Sequence, residues 1–282
     1  RLLGGRCHER LPAYANGWYG GAATAEDYAL RALATVSAGY RAIKFDPLGV
    51  AWKNLSLHDL RQCEAIVAAV RRQVGEDIEL MIELHGRLAP DAALQVAERL
   101  MPYRPAWYEE PVAYEKLDRL QELKQRTSVP IAAGERLYTL ADFARLIESH
   151  AVDVVQMDVA HCGGILMAKK IAALAEAHDV AFAPHVSVGP VSLAAALHLD
   201  MCCVNFSRQE NFGEHDVDYR DSLVSGWNPF RQGYFDLPDT PGLGLELNDA
   251  VIAAHPFKPN TFPSLWDRQW IVEFTKRKGK TE

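Results

Sequence analysis

Apolar positions along the chain follow two alternating rhythms. Short runs of apolar, β-branched or aromatic residues give eight strand candidates: YANGW, YRAIKFD, IELMIEL, AWYEEP, PIAAGE, VDVVQMD, VAFAPH and VNFSRQE. Between them, apolar residues recur at helical spacing over 24–37, 56–74, 90–101, 114–125, 140–149, 163–178 and 190–202. Thr24 and Ser56 stand where N-caps belong, and Gly75 where a helix stops. Every strand candidate except the last is followed by a helix candidate. That alternation predicts an α/β fold with a parallel sheet, and eight units favour a closed (β/α)8 TIM-like barrel over an open doubly wound sheet. An open sheet of that kind commonly carries GxGxxG after its first strand, and this sequence has none. The barrel is expected over 1–210. From about Asn211 the rhythm breaks into the Gly-, Pro- and Asp-rich GWNPFRQGYFDLPDTPGLGLEL. The segment 211–282 is therefore read as a loop-rich extension packed on the barrel, with a strand at 233–237.

Six of the runs carry an acid or a histidine at or near their C-terminal end: Glu83, Glu109, Glu135, Asp158, His185 and Glu210, at steps of 26, 26, 23, 27 and 25 residues. A strand, a helix and their two loops take about 25 residues. Each group thus stands at the C-terminal end of a successive strand, and in a closed parallel barrel those ends converge on one face. A single acid at a strand end is ordinarily a cap or loop residue. Six in phase predict one mouth.

Composition narrows the class. The 282 residues suit an α/β barrel, and 49% hydrophobic content is ample for its core. Thirty Lys and Arg against 37 Asp and Glu leave a net charge of −7. The one basic run, Lys276-Arg277-Lys278-Gly279-Lys280, reads as a solvated end, so nothing favours a nucleic-acid partner. No apolar stretch approaches the roughly 20 residues of a membrane span. The opening RLLGGRCHERLP lacks the apolar core of a signal peptide. Five cysteines with no CxxC read as reduced thiols of a cytoplasmic protein, and none falls in phase with the six positions.

Glu83, Glu109 and Glu135 on adjacent strand ends would make a hard, all-oxygen site suited to Mg²⁺; no HExxH, HxH or CxxC argues for zinc. The bland alternative is three separate ion pairs or caps. Asp158 behind His185 would fix the tautomer of that ring and raise its basicity, as for a general base. A lone histidine after an apolar strand is otherwise a structural residue. Glu210, one strand on, could hydrogen-bond opposite the metal. His85, two residues beyond Glu83, shares its side of the strand by period two and could face the same substrate; a solvated loop histidine fits that position equally. Lys44 and Asp46 share a face of YRAIKFD. Lys44 either meets an anionic substrate or pairs with a carboxylate of a neighbouring strand. Gly163-Gly164 is a tight βα connection more often than an anion cradle.

At this point the chain resembles the enolase superfamily, in its mandelate racemase subgroup. The matching pieces are Glu83 in MIELHGR, Glu109 in WYEEPV, Glu135 in AAGERLY, Asp158 in VVQMDVAHCGG and His185 in APHVSVGP, with LLGG, YANGW and PGLGLEL extending the likeness over most of the chain. The resemblance implies a (β/α)8 barrel, three carboxylates on Mg²⁺ and an enolate formed beside a substrate carboxylate. A metal-ligating acid followed two residues later by His is similar to the galactonate dehydratase-like acid-sugar dehydratases. That likeness implies His85 as the acid assisting a departing hydroxyl, and His185 with Asp158 as the base. Glu210 would steady the enolic intermediate. The substrate would be an aldonate or aldarate, the product a 2-keto-3-deoxy acid and the protein a homo-oligomer. Mouth contacts would include Trp18, Lys44, Asp46 and Arg87.

Two departures shape the expectation. Racemases of the subgroup carry Lys-x-Lys on the second strand, whereas this chain has Lys44-Phe45-Asp46, which favours dehydration. Glu83 stands where Asp is the commoner ligand. Family members also usually begin with an α+β capping domain of roughly a hundred residues. This chain starts almost at the barrel, so the cap is expected to be absent from it. One-base epimerisation of a 2-hydroxy or sugar acid, and a catalytically silent sugar-acid- or metal-binding barrel, are the competing readings.

Overall fold

The computed structural model describes residues 2–257 apart from 188, 216, 227–228 and 238–239. The basic run 276–280 and the end of the 211–282 extension lie outside the described residues. Among the described residues, eight parallel strands alternate with seven helices. The strands are β1 (Leu11–Ala15), β2 (Ala42–Phe45), β3 (Glu79–Glu83), β4 (Trp107–Glu109), β5 (Ile131–Ala133), β6 (Val154–Val155), β7 (Ala181–Phe182) and β8 (Gln209–Asn211). The helices between them are α1 (Ala25–Ser37), α2 (Leu57–Val74), α3 (Pro90–Leu100), α4 (Leu117–Arg126), α5 (Leu140–Glu148), α6 (Ile165–Glu176) and α7 (Pro190–Asp200).

Neighbouring strands pair in sequence from β1 to β7, and β8 returns to pair with β1 through Ala13, Tyr14 and Ala15. The remaining gap is closed by a parallel bridge between Phe182 and Phe206, just upstream of β8. The result is the (β/α)8 barrel that the alternation predicts. Helix starts follow local chemistry. Thr24, Ser56 and Thr139 each accept from the backbone N–H three residues on, while Asp27, Asp59 and Asp142 bond back to the cap. Gly75 ends α2 with φ of 81°, where a side chain would be strained.

The first strand lies earlier than YANGW suggests. It runs Leu11–Ala15, because Gly17 takes φ of 79° and turns the chain out of the sheet. The sixth and seventh strands are only two residues long, so Asp158 and His185 stand on the loops beyond them. Around 233–237 the expected strand is a hairpin: β10 (Phe230–Arg231) pairs with β11 (Tyr234–Phe235), which lies antiparallel along Leu11 and Pro12 of β1. Beyond β8 there are also β9 (Val224–Ser225), β12 (Glu246–Leu247) and a short α8 (Asp249–Ala254). The connection at Gly163-Gly164 is a tight turn, in which His161 and Cys162 N–H bond the Asp158 carbonyl and Gly164 N–H bonds that of Val159.

Two buried clusters divide the core. The larger fills the space between strands and helices. The smaller comprises Tyr14, Ala42, Met81, Trp107, Ala132, Val154 and Ala183, one from each of β1 to β6 and one just past β7. These side chains plug the barrel interior. With a period of two, the next inward layer is Asn16, Lys44, Glu83, Glu109, Gln156 and His185. The mouth is thus the polar layer stacked directly on an apolar plug.

Candidate active site

Glu83 and Glu109 end β3 and β4 as in-register neighbours, and Glu135 follows β5 by two residues. Each of the three offers an oxygen within 4.8 Å of the other two, and all three residues are buried. Burial, then the neighbouring Glu109 charge, push the Glu83 carboxyl well above the ordinary carboxylate range. Burial acts on Glu109 in the same sense, but Lys44 and hydrogen bonds outweigh it and hold that carboxyl down. Trp107 Nε1 donates to Glu109 Oε2 at 3.1 Å, and His85 N–H donates to Glu83 Oε1 at 2.6 Å. Three buried carboxyl groups so close together are set against the single ammonium of Lys44, and their donors are all hard oxygens. That donor set fits a Mg²⁺-type dication.

Lys44 is 1% exposed and contacts Glu109, with Nζ 2.9 Å from Glu210 and 3.5 Å from Glu83. Of its two sequence readings, the structure displays the pairing with neighbouring carboxylates. Glu210 accepts from Asn16 Nδ2 at 2.7 Å and from Val186 N–H at 2.8 Å, which aims its carboxylate across the mouth.

His185 Nδ1 lies 2.8 Å from Asp158 Oδ2, and its Nε2 is 3.6 Å from Glu135. Burial lowers the affinity of this ring for a proton. The Glu135 charge and the Asp158 hydrogen bond more than offset that, raising it to about 9. His85, at φ of 50°, places Nδ1 2.8 Å from Asp46 Oδ2. Burial dominates there and lowers its pKa despite Asp46. His185 reaches Glu135 through Nε2 and His85 bonds Glu83 through its backbone N–H, so both residues border the carboxylate cluster.

Asp46 does not present a free carboxylate to the mouth. Arg87 forks onto it, Nη1 to Oδ2 at 2.6 Å and Nη2 to Oδ1 at 2.8 Å, and Asp46 in turn holds His85. Trp18 is not brought to the carboxylates. It is 2% exposed in the outer core, where it donates Nε1 to the Lys44 carbonyl at 2.8 Å and so props β2 from behind. Four neighbours escaped the sequence reading. Asn16 orients Glu210; its signal is only that it follows β1 in period two. Glu110 and Arg136 pair on the far side of Glu109 and Glu135, and Glu110 is raised by burial. His161 lies with its Nδ1 3.9 Å from Asp158, and the spacing Asp158-x-x-His161 on a turn was a readable signal.

A polar mouth on a plugged (β/α)8 barrel, with three buried carboxylates between two carboxylate-backed histidines, defines a class. Residues 27–251 match the family described as Enolase C-terminal domain-like. The chain belongs to that family, within the mandelate racemase subgroup of the enolase superfamily. It is 36% identical to a D-gluconate dehydratase of Thermoproteus tenax over 98% of its length, and 38% identical to a D-gluconate/D-galactonate dehydratase of Picrophilus torridus over 89%. It spans 56% and 64% of those two proteins. The crystal structure of a mandelate racemase/muconate lactonizing enzyme from Jannaschia sp. CCS1 superposes with a TM-score of 0.84 at 36% identity, covering 92% of this chain and 69% of that one.

Proposed function

We propose that this chain carries the active site of a Mg²⁺-dependent acid-sugar dehydratase acting on an aldonate or aldarate. The observation that carries the reading is the pair of dyads, His185–Asp158 and His85–Asp46, bordering one cluster of three carboxylates. The relatives named for gluconate and galactonate support the substrate class.

Glu83, Glu109 and Glu135 would hold the cation. When bound it would supply positive charge beside the substrate carboxylate, acidifying the neighbouring C–H and offsetting the Glu135 charge that keeps His185 protonated. His185, with its tautomer set by Asp158, takes the C2 proton on Nε2, the nitrogen facing the carboxylates. Lys44 lies in that layer and steadies the charge that develops on the enolic oxygen, while Glu210 holds the ammonium in place from across the mouth. His85 gives a proton to the C3 hydroxyl as the C–O bond breaks. Asp46 keeps the ring oriented for that transfer. Water leaves, and the enol collapses to a 2-keto-3-deoxy acid.

No helix among the described residues is long and apolar enough to cross a membrane, and the five cysteines form no disulfide. Free thiols fit the reducing cytoplasm, and the family likeness supports a homo-oligomer. The test is turnover of an acid-sugar library, beginning with D-gluconate and D-galactonate, with and without Mg²⁺. Mg²⁺-dependent 2-keto-3-deoxy product is expected. Exchange at C2 without water loss would instead make the protein an epimerase, and no reaction with any member would leave a binding barrel.

A further inference from the structure

Asp158, His161 and His185 each bring one donor atom within 4.8 Å of the other two. This trio differs in kind from the carboxylate cluster beside it: two imidazoles and one carboxylate. Asp158 Oδ2 is 2.8 Å from Nδ1 of His185 and 3.9 Å from Nδ1 of His161. The two rings lie 6.1 Å apart at 39°. The turn that follows β6 fixes the geometry, since His161 and Cys162 N–H both bond the Asp158 carbonyl. Asp158 also accepts from Ala160 N–H through Oδ1, leaving Oδ2 to the histidines. The His161 side chain is 33% exposed, so the trio opens to solvent on that side.

We propose that Asp158, His161 and His185 form a second metal site, for a first-row transition dication such as Zn²⁺, whose occupation takes His185 out of service. Mixed nitrogen and oxygen donors suit such ions, whereas Mg²⁺ prefers an all-oxygen shell. With metal–ligand distances of about 2.0–2.2 Å, tetrahedral ligand atoms sit roughly 3.3 Å apart. The Asp158 and His185 donor atoms are already near that separation, and His161 needs only a small swing. Three protein ligands leave a fourth position for water. Binding requires His185 Nδ1 to release its proton to solvent, and Asp158 then ligates the metal and no longer sets the tautomer. The site itself does not depend on the dehydratase reading; only its inhibitory consequence rests on it.

The experiment is a calorimetric Zn²⁺ titration with Mg²⁺ saturating, joined to visible spectroscopy with Co²⁺ as a probe. One equivalent of Zn²⁺ is expected. His161→Gln should weaken it by at least tenfold while leaving Mg²⁺ affinity unchanged, and Glu109→Gln should do the reverse. His161→Cys, which puts a thiolate donor in place of the imidazole, should retain Co²⁺ binding and add a sulfur-to-cobalt band. Unchanged Zn²⁺ affinity in His161→Gln, or its loss in Glu109→Gln, would overturn the assignment. Where acid-sugar turnover is measurable, Zn²⁺ should inhibit it, and His161→Gln should need at least tenfold more; equal inhibition would break the link to His185. If no acid sugar turns over, the functional reading fails and the binding results still decide the site.

Discussion

Lys44 on β2 and Glu210 on β8, the two strands flanking β1, meet at 2.9 Å inside the mouth. One ammonium thus neutralises part of a carboxylate group drawn from opposite sides of the first strand. Removing it should leave buried carboxylates uncompensated. Lys44→Met is expected to lose about 3–5 kcal/mol of stability without divalent cation, as for breaking a buried pair from one side. Mg²⁺ should recover part of that loss. Urea melts with and without Mg²⁺ are the check, and a variant indifferent to Mg²⁺ would contradict the charge argument.

Glu109→Gln is expected to abolish Mg²⁺ binding while the barrel stays folded. The amide keeps the shape of the side chain but removes one of three hard anionic donors. Calorimetric titration of Mg²⁺ reads the first expectation and circular dichroism the second. Wild-type affinity would sink the assignment of the three carboxylates.

The two histidines should separate by isotope. In His185→Asn both C2–H exchange in D₂O and dehydration should vanish, since no enol forms. In His85→Asn dehydration should fall by about 10²–10⁴, the usual loss with a general acid. Exchange at C2 should nevertheless continue, because His185, Asp158 and Glu210 are untouched. A His85 variant dehydrating at the parental rate would favour the single-base epimerase.

Asp46 predicts an acid limb. Burial raises its carboxyl, but Arg87 and His85 more than reverse this and hold it well below the usual range. A depressed folded-state pKa contributes stability that is fully present above the unfolded value of about 3.9 and drains away as pH falls toward the folded one. Asp46→Asn should therefore be less stable at neutral pH and show a shallower decline below about pH 4. Denaturant midpoints measured from pH 7 down to pH 3 give the slope. Parallel curves for the two proteins would deny Asp46 that role.

What the sequence displayed of this site depended on how local the cause was. Glu83 and Glu109 were readable because each ends a strand whose alternation aims it inward. Asp158 and His185 were readable only by spacing, because their strands stop after two residues and the loops do the aiming. The Arg87–Asp46 fork was not readable. It joins residues 41 apart and depends on His85 and Gly86 both taking positive φ. Trp18 looked like a mouth residue because YANGW reads as one strand; the turn at Gly17 sends it behind β2 instead. The equal weight given to two roles for Lys44 had a physical source as well. Only the strand register reveals that Glu83, Glu109 and Glu210 all lie within its reach.

The ring closure has a consequence for synthesis. β1 is held on one side by β2, close by in sequence, but on the other by β8, about two hundred residues later, with β11 along its lower half. Such distant pairings cost loop entropy before they return any contact, so they form late. A nascent chain therefore leaves the ribosome with its first strand carrying an open edge, a template for pairing with other chains. That edge stays open until residues 209–211 have been made and delivered. The last strand of the barrel is what protects the first.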